Sequence, residues 1–162
     1  MSISSHSATD TLTPGQRDAA LITTDRTPVT IGALLGRPLV LAFFPAAFTS
    51  VCTKEMCTFR DSMARFNSLD AAVYGISIDT PFTLRVFGEQ NGLTFPLLSD
   101  ANREATHAFG VSWPDLSGVR DVSNRAVFVL DAEGRIVYRW VAERPGLEPP
   151  YEEVLAAVER LR

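Results

Sequence analysis

The chain has 162 residues, of which 46% are hydrophobic, and a formal net charge of −4. This length suffices for one domain with a well-buried core and is short for two. The acidic balance and the scattered basic residues argue against a nucleic-acid partner. No apolar run approaches the roughly 18 residues that cross a bilayer, and no segment has the pattern of a secretion signal. We therefore expect a cytoplasmic protein with no membrane partner.

The N-terminal part of the chain is predicted to be a tail followed by one domain. Residues 1–16, rich in Ser, Thr and Asp, are expected to form a flexible tail, and residues 17–162 a single domain. Two short strands around Asp25 are then predicted to form a hairpin. A brief helix follows the hairpin and ends at Gly36.

The next segment joins a core strand to a helix that carries both cysteines of the chain. Residues 39–44 form an apolar run between two prolines, which is the pattern of a fully buried strand. Residues 50–66 are amphipathic and are predicted to form a helix. Cys52 therefore lies in the first turn of a helix that directly follows a core strand.

The remaining elements alternate between strands and helices. In chain order they are a strand over 71–79, a helix over 81–91 with Thr80 as its N-cap, a strand over 95–99, a helix over 102–109, a hairpin of 125–131 with 135–141, and a helix over 151–161. This order predicts an α/β fold with a mixed central sheet and helices on both faces.

The position of Cys52 favours chemistry at its sulfur. Free N–H groups and the positive end of the helix dipole stabilise an anion there, so the reactive thiolate is favoured. The alternatives are a small buried hydrophobic residue or half of a metal site with Cys57. The sequence offers no further ligand pair, since His6 and His107 stand apart, and neither histidine has the context of a protease base. We therefore expect no metal.

The spacing Pro45, Thr49 and Cys52 reads Pro-x-x-x-Thr-x-x-Cys and resembles the active-site motif of the peroxiredoxins. The resemblance covers nearly the whole chain and implies a thioredoxin-like, three-layer fold. Thioredoxins themselves place Cys-x-x-Cys at this point. Cys57 matches the resolving cysteine of the bacterioferritin-comigratory, or Q-type, branch, whereas residues 47–53 are closer to the E-type alkyl hydroperoxide reductase branch. Both branches stay open here.

The resemblance implies a thiol peroxidase that reduces hydrogen peroxide and organic hydroperoxides without a bound cofactor. Cys52 is then the nucleophile that becomes a sulfenic acid, Cys57 resolves it as a Cys52–Cys57 disulfide, and a thioredoxin-like dithiol reduces that disulfide. The chain lacks the later cysteine that typical two-cysteine members use across a dimer. We therefore expect a monomer or a weak homodimer.

Four further residues receive supporting roles from the resemblance, each beside a simpler alternative. Arg125 stabilises the thiolate and the charge that develops on the peroxide, or else forms a surface ion pair. Thr49 orients the peroxide, caps the helix, or does both. Pro45 shields the thiolate or only ends the strand. Glu55 holds Arg125 in place or is an exposed acid in the first helical turn. Pro45, Thr49 and Arg125 are the expected substrate-binding residues.

The spacing of the two cysteines constrains the second step. Residues i and i+5 of a helix lie about 140° apart around the axis and about 7.5 Å apart along it. A disulfide requires Cα atoms within about 4.4–6.8 Å. A Cys52–Cys57 bond therefore requires the helix to unwind. Two alternatives stay open: a one-cysteine peroxidase in which Cys57 is a buried bystander, and a redox sensor or binding module whose oxidised helix is recognised by a partner.

Overall fold

The structure is a computed structural model that describes residues 10–162 and the backbone of residues 3–5. The strands of this part are β1 Ile3–Ser5, β2 Asp10–Thr11, β3 Ala20–Thr23, β4 Pro28–Thr30, β5 Leu39–Phe43, β6 Ala72–Ser77, β7 Leu97–Ser99, β8 Ser112–Leu116, β9 Val119–Ser123, β10 Ala126–Leu130 and β11 Arg135–Val141. The α-helices are α1 Pro14–Asp18, α2 Ser50–Asp61, α3 Met63–Ser68, α4 Pro81–Gln90, α5 Glu104–Ala108 and α6 Tyr151–Glu159, and a 3₁₀ helix covers Ile31–Leu34.

A mixed sheet forms the centre of the molecule. Its strands lie in the order β1-β11-β10-β5-β6-β7-β3-β4, and β2 also pairs with β11. The pairs β5–β6 and β6–β7 are parallel, whereas the other pairs of this sheet are antiparallel. Side chains of α2, α3, α4 and α6 pack on one face, and α5 with the 3₁₀ helix packs on the other. The predicted α/β, thioredoxin-like architecture is therefore confirmed.

The central strand β5 positions the segment that holds Cys52. All five of its residues are buried, and its side chains alternate between the two core clusters as the period of a strand requires. The chain leaves β5 through a loop at Pro45 and enters α2. Because β10 runs antiparallel to β5, with Ala126 opposite Phe43, the start of β10 lies at the same end of the sheet as the start of α2.

The helix predicted over residues 50–66 is divided into α2 and α3. The interruption falls at Ser62, whose hydroxyl donates a hydrogen bond of 3.1 Å to the carbonyl of Thr58. Such bonds from a serine to the carbonyl four residues earlier bend helices. The two cysteines nevertheless lie within one uninterrupted helix, as the spacing argument assumed.

A hairpin of β8 and β9 was missed by the sequence analysis. Pro114 and the polar residues of β8 do not have the alternating pattern of a strand. Its turn, Ser117-Gly118, places both residues at positive φ, as a two-residue hairpin turn of type I′ requires. This hairpin contributes Leu116 to the cavity described below.

Regular structure begins earlier than the predicted flexible tail of residues 1–16 allows. Ile3–Ser5 and Asp10–Thr11 pair with β11, and α1 begins at Pro14. A capping box between Thr13 and Gln16 explains this helix, because it satisfies free N–H groups at the helix start. The prediction was wrong for these segments. Of its other positions, Leu12 is buried and Thr13 caps α1, whereas residues 1–2 and 6–9 lie outside the described residues.

Gly75 of β6 tests how tightly the sheet packs beneath α2. A Cβ atom at this position would lie 2.6 Å from Leu97 Cδ2 and 3.0 Å from Met56 Sδ. We expect Gly75→Ala to lower the free energy of unfolding by about 1–3 kcal/mol, because overpacking displaces neighbouring side chains. Urea unfolding measures the change. The control Gly88→Ala, whose nearest contact would be an ordinary 3.6 Å, should be neutral or stabilising. Equal effects of the two substitutions would contradict the packing argument.

Candidate active site

Cys52 lies buried in the first turn of α2, with 1% of its surface exposed. Arg125, the residue before β10, donates from Nη2 to its Sγ over 3.2 Å. No side chain caps the N-terminus of α2. Because the first N–H groups of a helix have no intrahelical acceptors, they are available to a ligand beside this sulfur. Cation and helix start therefore favour negative charge at the same atom.

Arg125 is hydrogen-bonded to three neighbours. Its Nη1 donates to Glu55 Oε1 over 2.8 Å, and its Nε and Nη2 donate to the Pro145 carbonyl over 3.0 and 2.7 Å. Burial alone would lower the pKa of Arg125, but Glu55 and Cys52 outweigh it and hold the pKa above its usual range. With 2% of its surface exposed, Arg125 is a buried cation and not part of a surface ion pair.

Glu55 lies behind Arg125 in the interior, which corrects the alternative of an exposed first-turn acid. Its side chain is fully buried, and its Oε2 has no hydrogen-bond partner. Burial raises the pKa of Glu55 to about 7, more than Arg125 lowers it. A carboxyl group and a thiol thus share one buried guanidinium.

The backbone of Arg125 is fixed by a neighbour that the sequence analysis did not single out. The amide oxygen of Asn124 accepts from the Arg125 N–H over 2.8 Å, and its Nδ2 donates to the Ala142 carbonyl over 2.7 Å. The Ala142 N–H in turn donates to the Arg125 carbonyl. An amide residue directly before a candidate arginine was the available signal. The carbonyl of Pro145 left no such signal, because every residue has one.

The loop before α2 is fixed by a hydrogen bond to Asp79 and positions Thr49. The Ala47 N–H donates to Asp79 Oδ2 over 2.8 Å, and Phe48 adopts a positive φ of 68°. Thr49 occupies the N-cap position, but its hydroxyl donates to the Ala46 carbonyl over 2.7 Å and makes no capping bond. The side-chain capping role considered for Thr49 is therefore absent. Its oxygen lone pairs remain available as acceptors.

A cavity of about 160 Å³ joins the predicted residues. It is lined by Pro45, Thr49, Ser50, Val51, Cys52, Leu116, Arg125, Pro145 and Gly146. The predicted substrate-binding residues therefore meet the sulfur of Cys52 at one small opening, and the side chains of Val51 and Leu116 make part of its wall apolar. Glu55 contacts this site only through Arg125.

Cys57 lies outside this cavity. It is half-buried on α2, and its Sγ is 3.8 Å from Oδ1 of Asn91, which follows α4. It is therefore not the core residue considered as an alternative. Both cysteines are free thiols. The structure thus describes a reduced form in which the two sulfurs sit on one intact helix.

Comparison with known proteins agrees with this geometry. The model of the AhpC/TSA family matches residues 14–139. The chain belongs to this family. A Mycobacterium tuberculosis protein named as a peroxiredoxin is 40% identical over 133 residues, which cover 80% of this chain and 85% of the relative. The crystal structure of peroxidoxin BcpB from the same organism has a TM-score of 0.81 and 33% identity, and covers 95% of this chain and 97% of that one.

The branch follows from the same comparison. The bacterioferritin comigratory protein of Xanthomonas campestris has a TM-score of 0.80 and 28% identity, and covers 93% of this chain and 96% of that one. The protein is therefore a peroxiredoxin, which is a thiol-dependent peroxidase. It belongs to the Q-type branch and not to the E-type branch that the sequence left open. Within the described residues, no helix has the length and apolar character needed to cross a membrane.

The buried carboxyl of Glu55 predicts a pH dependence of stability. Its pKa rises from an ordinary 4.5 to about 7 on folding, so between these values the folded state binds more protons than the unfolded state. Stability should therefore fall as pH rises through this window, by on the order of 1–3 kcal/mol. Glu55→Gln removes the titrating group and should flatten the fall. Urea unfolding of both proteins at pH 5, 6 and 7 checks this, and parallel curves would contradict it.

Proposed function

We propose that this peroxiredoxin reduces hydrogen peroxide and organic hydroperoxides through Cys52, with Cys57 as the resolving residue. The observation that carries the proposal is the 3.2 Å contact between the buried guanidinium of Arg125 and Cys52 Sγ at the edge of a small cavity. The guanidinium favours the thiolate, which is the nucleophilic form of cysteine. Cys52 lines the cavity and is otherwise buried from solvent.

The first step is an in-line displacement at oxygen. The Cys52 thiolate attacks one peroxide oxygen, an S–O bond forms and the O–O bond breaks. The other oxygen leaves as hydroxide or alkoxide and takes up a proton, and Cys52 becomes a sulfenic acid. Negative charge moves from sulfur to the leaving oxygen. A fixed guanidinium beside the reaction stabilises that charge without reorganising.

Thr49 and Pro45 support the substrate in this proposal. The Thr49 hydroxyl donates to the Ala46 carbonyl, so its oxygen can accept a hydrogen bond from the peroxide O–H. Pro45 has no N–H and brings no competing donor to the cavity wall. The apolar side chains of Val51 and Leu116 suit the alkyl group of an organic hydroperoxide.

The second step forms the Cys52–Cys57 disulfide. The Cys57 thiolate attacks the sulfenic sulfur, an S–S bond forms, and the oxygen leaves as water after protonation. Both residues lie within α2, so the first turns of this helix must unwind and the Arg125–Cys52 contact must break. An external dithiol of the thioredoxin kind then reduces the disulfide by thiol–disulfide exchange.

Three expectations from the sequence remain predictions. The thioredoxin-like donor agrees with the kind of reductant that peroxiredoxins use. A monomer or weak homodimer is expected because the chain has no cysteine after Cys57 to bridge two subunits. A cytoplasmic location agrees with two free thiols, since a reducing compartment keeps thiols unpaired.

The experiment that tests this function follows both thiols after one equivalent of peroxide. The wild type should lose about two mass units, mapped to a Cys52–Cys57 peptide, and should turn over with thioredoxin and its reductase. Cys52→Ser should abolish peroxide consumption. Cys57→Ser should complete the first step and then stop without an added small thiol.

Each other outcome contradicts part of the proposal. Peroxide consumption by Cys52→Ser would remove the assigned nucleophile. A free Cys57 beside an oxidised Cys52 in the wild type would replace the scheme with a one-cysteine peroxidase. A disulfide that forms once but is not turned over by any dithiol would favour the redox sensor.

A further inference from the structure

Lys54 is the single lysine of the chain, and it lies between the two cysteines on α2. Its Nζ is 3.0 Å from Oε2 of Glu148, which belongs to the segment between β11 and α6. We propose that the Lys54–Glu148 ion pair holds the first turns of α2 folded and thereby slows the attack of Cys57 on oxidised Cys52. Both are positioning residues, and the inference rests on the proposed two-cysteine mechanism.

Other contacts position the carboxylate of Glu148 for its ion pair with Lys54. The hydroxyl of Tyr151 donates to its Oε1 over 2.7 Å, which leaves Oε2 for Lys54. The ring of Tyr151 also packs edge-on against Phe59 of α2, with centroids 5.5 Å apart. Burial would raise the pKa of Glu148, but the hydrogen bonds from Tyr151 and Lys54 outweigh it and lower the pKa. The carboxylate therefore stays charged at neutral pH.

The position of the pair along α2 gives it this role. Closing the disulfide requires movement of residues 52–57, and two ion pairs connect this stretch to the remainder of the described structure. Glu55–Arg125 is buried and belongs to the reacting site. Lys54–Glu148 is accessible, with the lysine side chain 69% exposed, and touches no reacting atom. By contrast, the Arg60 bond to the Asn91 carbonyl lies beyond Cys57 and can persist.

The same segment also holds the guanidinium of Arg125. Pro145, whose carbonyl accepts two of its bonds, lies three residues before Glu148. While the segment is docked, Glu148 therefore binds Lys54 of α2, and Pro145 of the same segment binds Arg125. Release of Lys54 frees the helix start without removing Arg125 from the first step.

The consequence is a competition at the sulfenic acid. While α2 stays folded, Cys57 is out of reach and a second peroxide can oxidise Cys52 to the sulfinic acid. An ion pair that favours the folded helix therefore favours over-oxidation. Exposed pairs contribute little, so its loss should increase the opening equilibrium about two- to fivefold.

The test compares Lys54→Gln with the charge-preserving Lys54→Arg in stopped-flow and mass-spectrometric assays. Lys54→Gln should react with the first peroxide within about twofold of the wild type but form the disulfide about two- to fivefold faster. Its sulfinic fraction at a given peroxide concentration should fall accordingly, and Lys54→Arg should restore wild-type behaviour. Glu148→Gln, which weakens the same pair from its other side, should also form the disulfide faster.

Ionic strength separates an electrostatic hold from a general loosening of the fold. Added salt screens exposed ion pairs, so it should speed disulfide formation in the wild type and have less effect on Lys54→Gln. The matched control is Glu159→Gln, which breaks the exposed Arg65–Glu159 pair between α3 and α6. It should leave the disulfide rate unchanged.

The outcomes distinguish this inference from the function on which it rests. A wild type that forms no Cys52–Cys57 disulfide overturns the two-cysteine mechanism and the inference with it. A wild type that forms the disulfide at the same rate as Lys54→Gln, or a Glu159→Gln that accelerates it equally, overturns the role of Lys54 alone.

Discussion

The pairing of one buried cation, Arg125, constrains the whole site. Removing a guanidinium from water is costly unless its donors are satisfied. Its hydrogen-bond acceptors here are Glu55 and Cys52 from α2 and the carbonyl of Pro145 from the segment after β11. These groups come from parts of the chain that are far apart in sequence, and the sheet brings them to one end of β5 and β10. A shift of any one of them removes one partner from the buried charge, so the geometry around the sulfur is coupled to the packing of the fold.

The same cation serves two groups that each carry negative charge when deprotonated. Glu55 and Cys52 compete for Arg125. Burial raises the pKa of the Glu55 carboxyl to about 7, so this group is partly protonated at neutral pH. A proton on Glu55 leaves more of the guanidinium charge to the sulfur, because the field of the cation is then not cancelled from behind. In the proposed mechanism, the first chemical step depends on this ordered arrangement. The proposed second step requires its loss, since Cys57 cannot reach Cys52 while α2 is intact. Interactions that keep α2 folded therefore slow resolution, and the Lys54–Glu148 pair is proposed to do so without contacting a reacting atom.

Much of this organisation could be predicted from the sequence, because it depends on local patterns. The apolar run of β5, the cap and proline of α4 and the turn before β11 fix their elements through side-chain periodicity and backbone preference. The motif around Cys52 identified the family. Contacts between distant segments could not be predicted in this way. The Pro145 carbonyl carries no side-chain signature, and the burial of Glu55 follows from its place behind Arg125. The hairpin of β8 and β9 was hidden by its polar residues, although its Ser117-Gly118 turn was a usable signal.

The most direct test of this account asks whether Arg125 accelerates the reaction of Cys52 with peroxide more than its reaction with an alkylating agent. Arg125→Lys keeps a positive charge but loses the planar set of donors that joins Cys52, Glu55 and Pro145. The reaction of Cys52 with peroxide should therefore slow by on the order of 10²-fold. Alkylation of the same thiol by iodoacetamide has no breaking O–O bond to stabilise, so it should slow far less. The ratio of the two second-order rates, measured by stopped flow in wild type and variant at one pH, decides the matter. A large fall in this ratio is the predicted result, and an equal slowing of both reactions would contradict it.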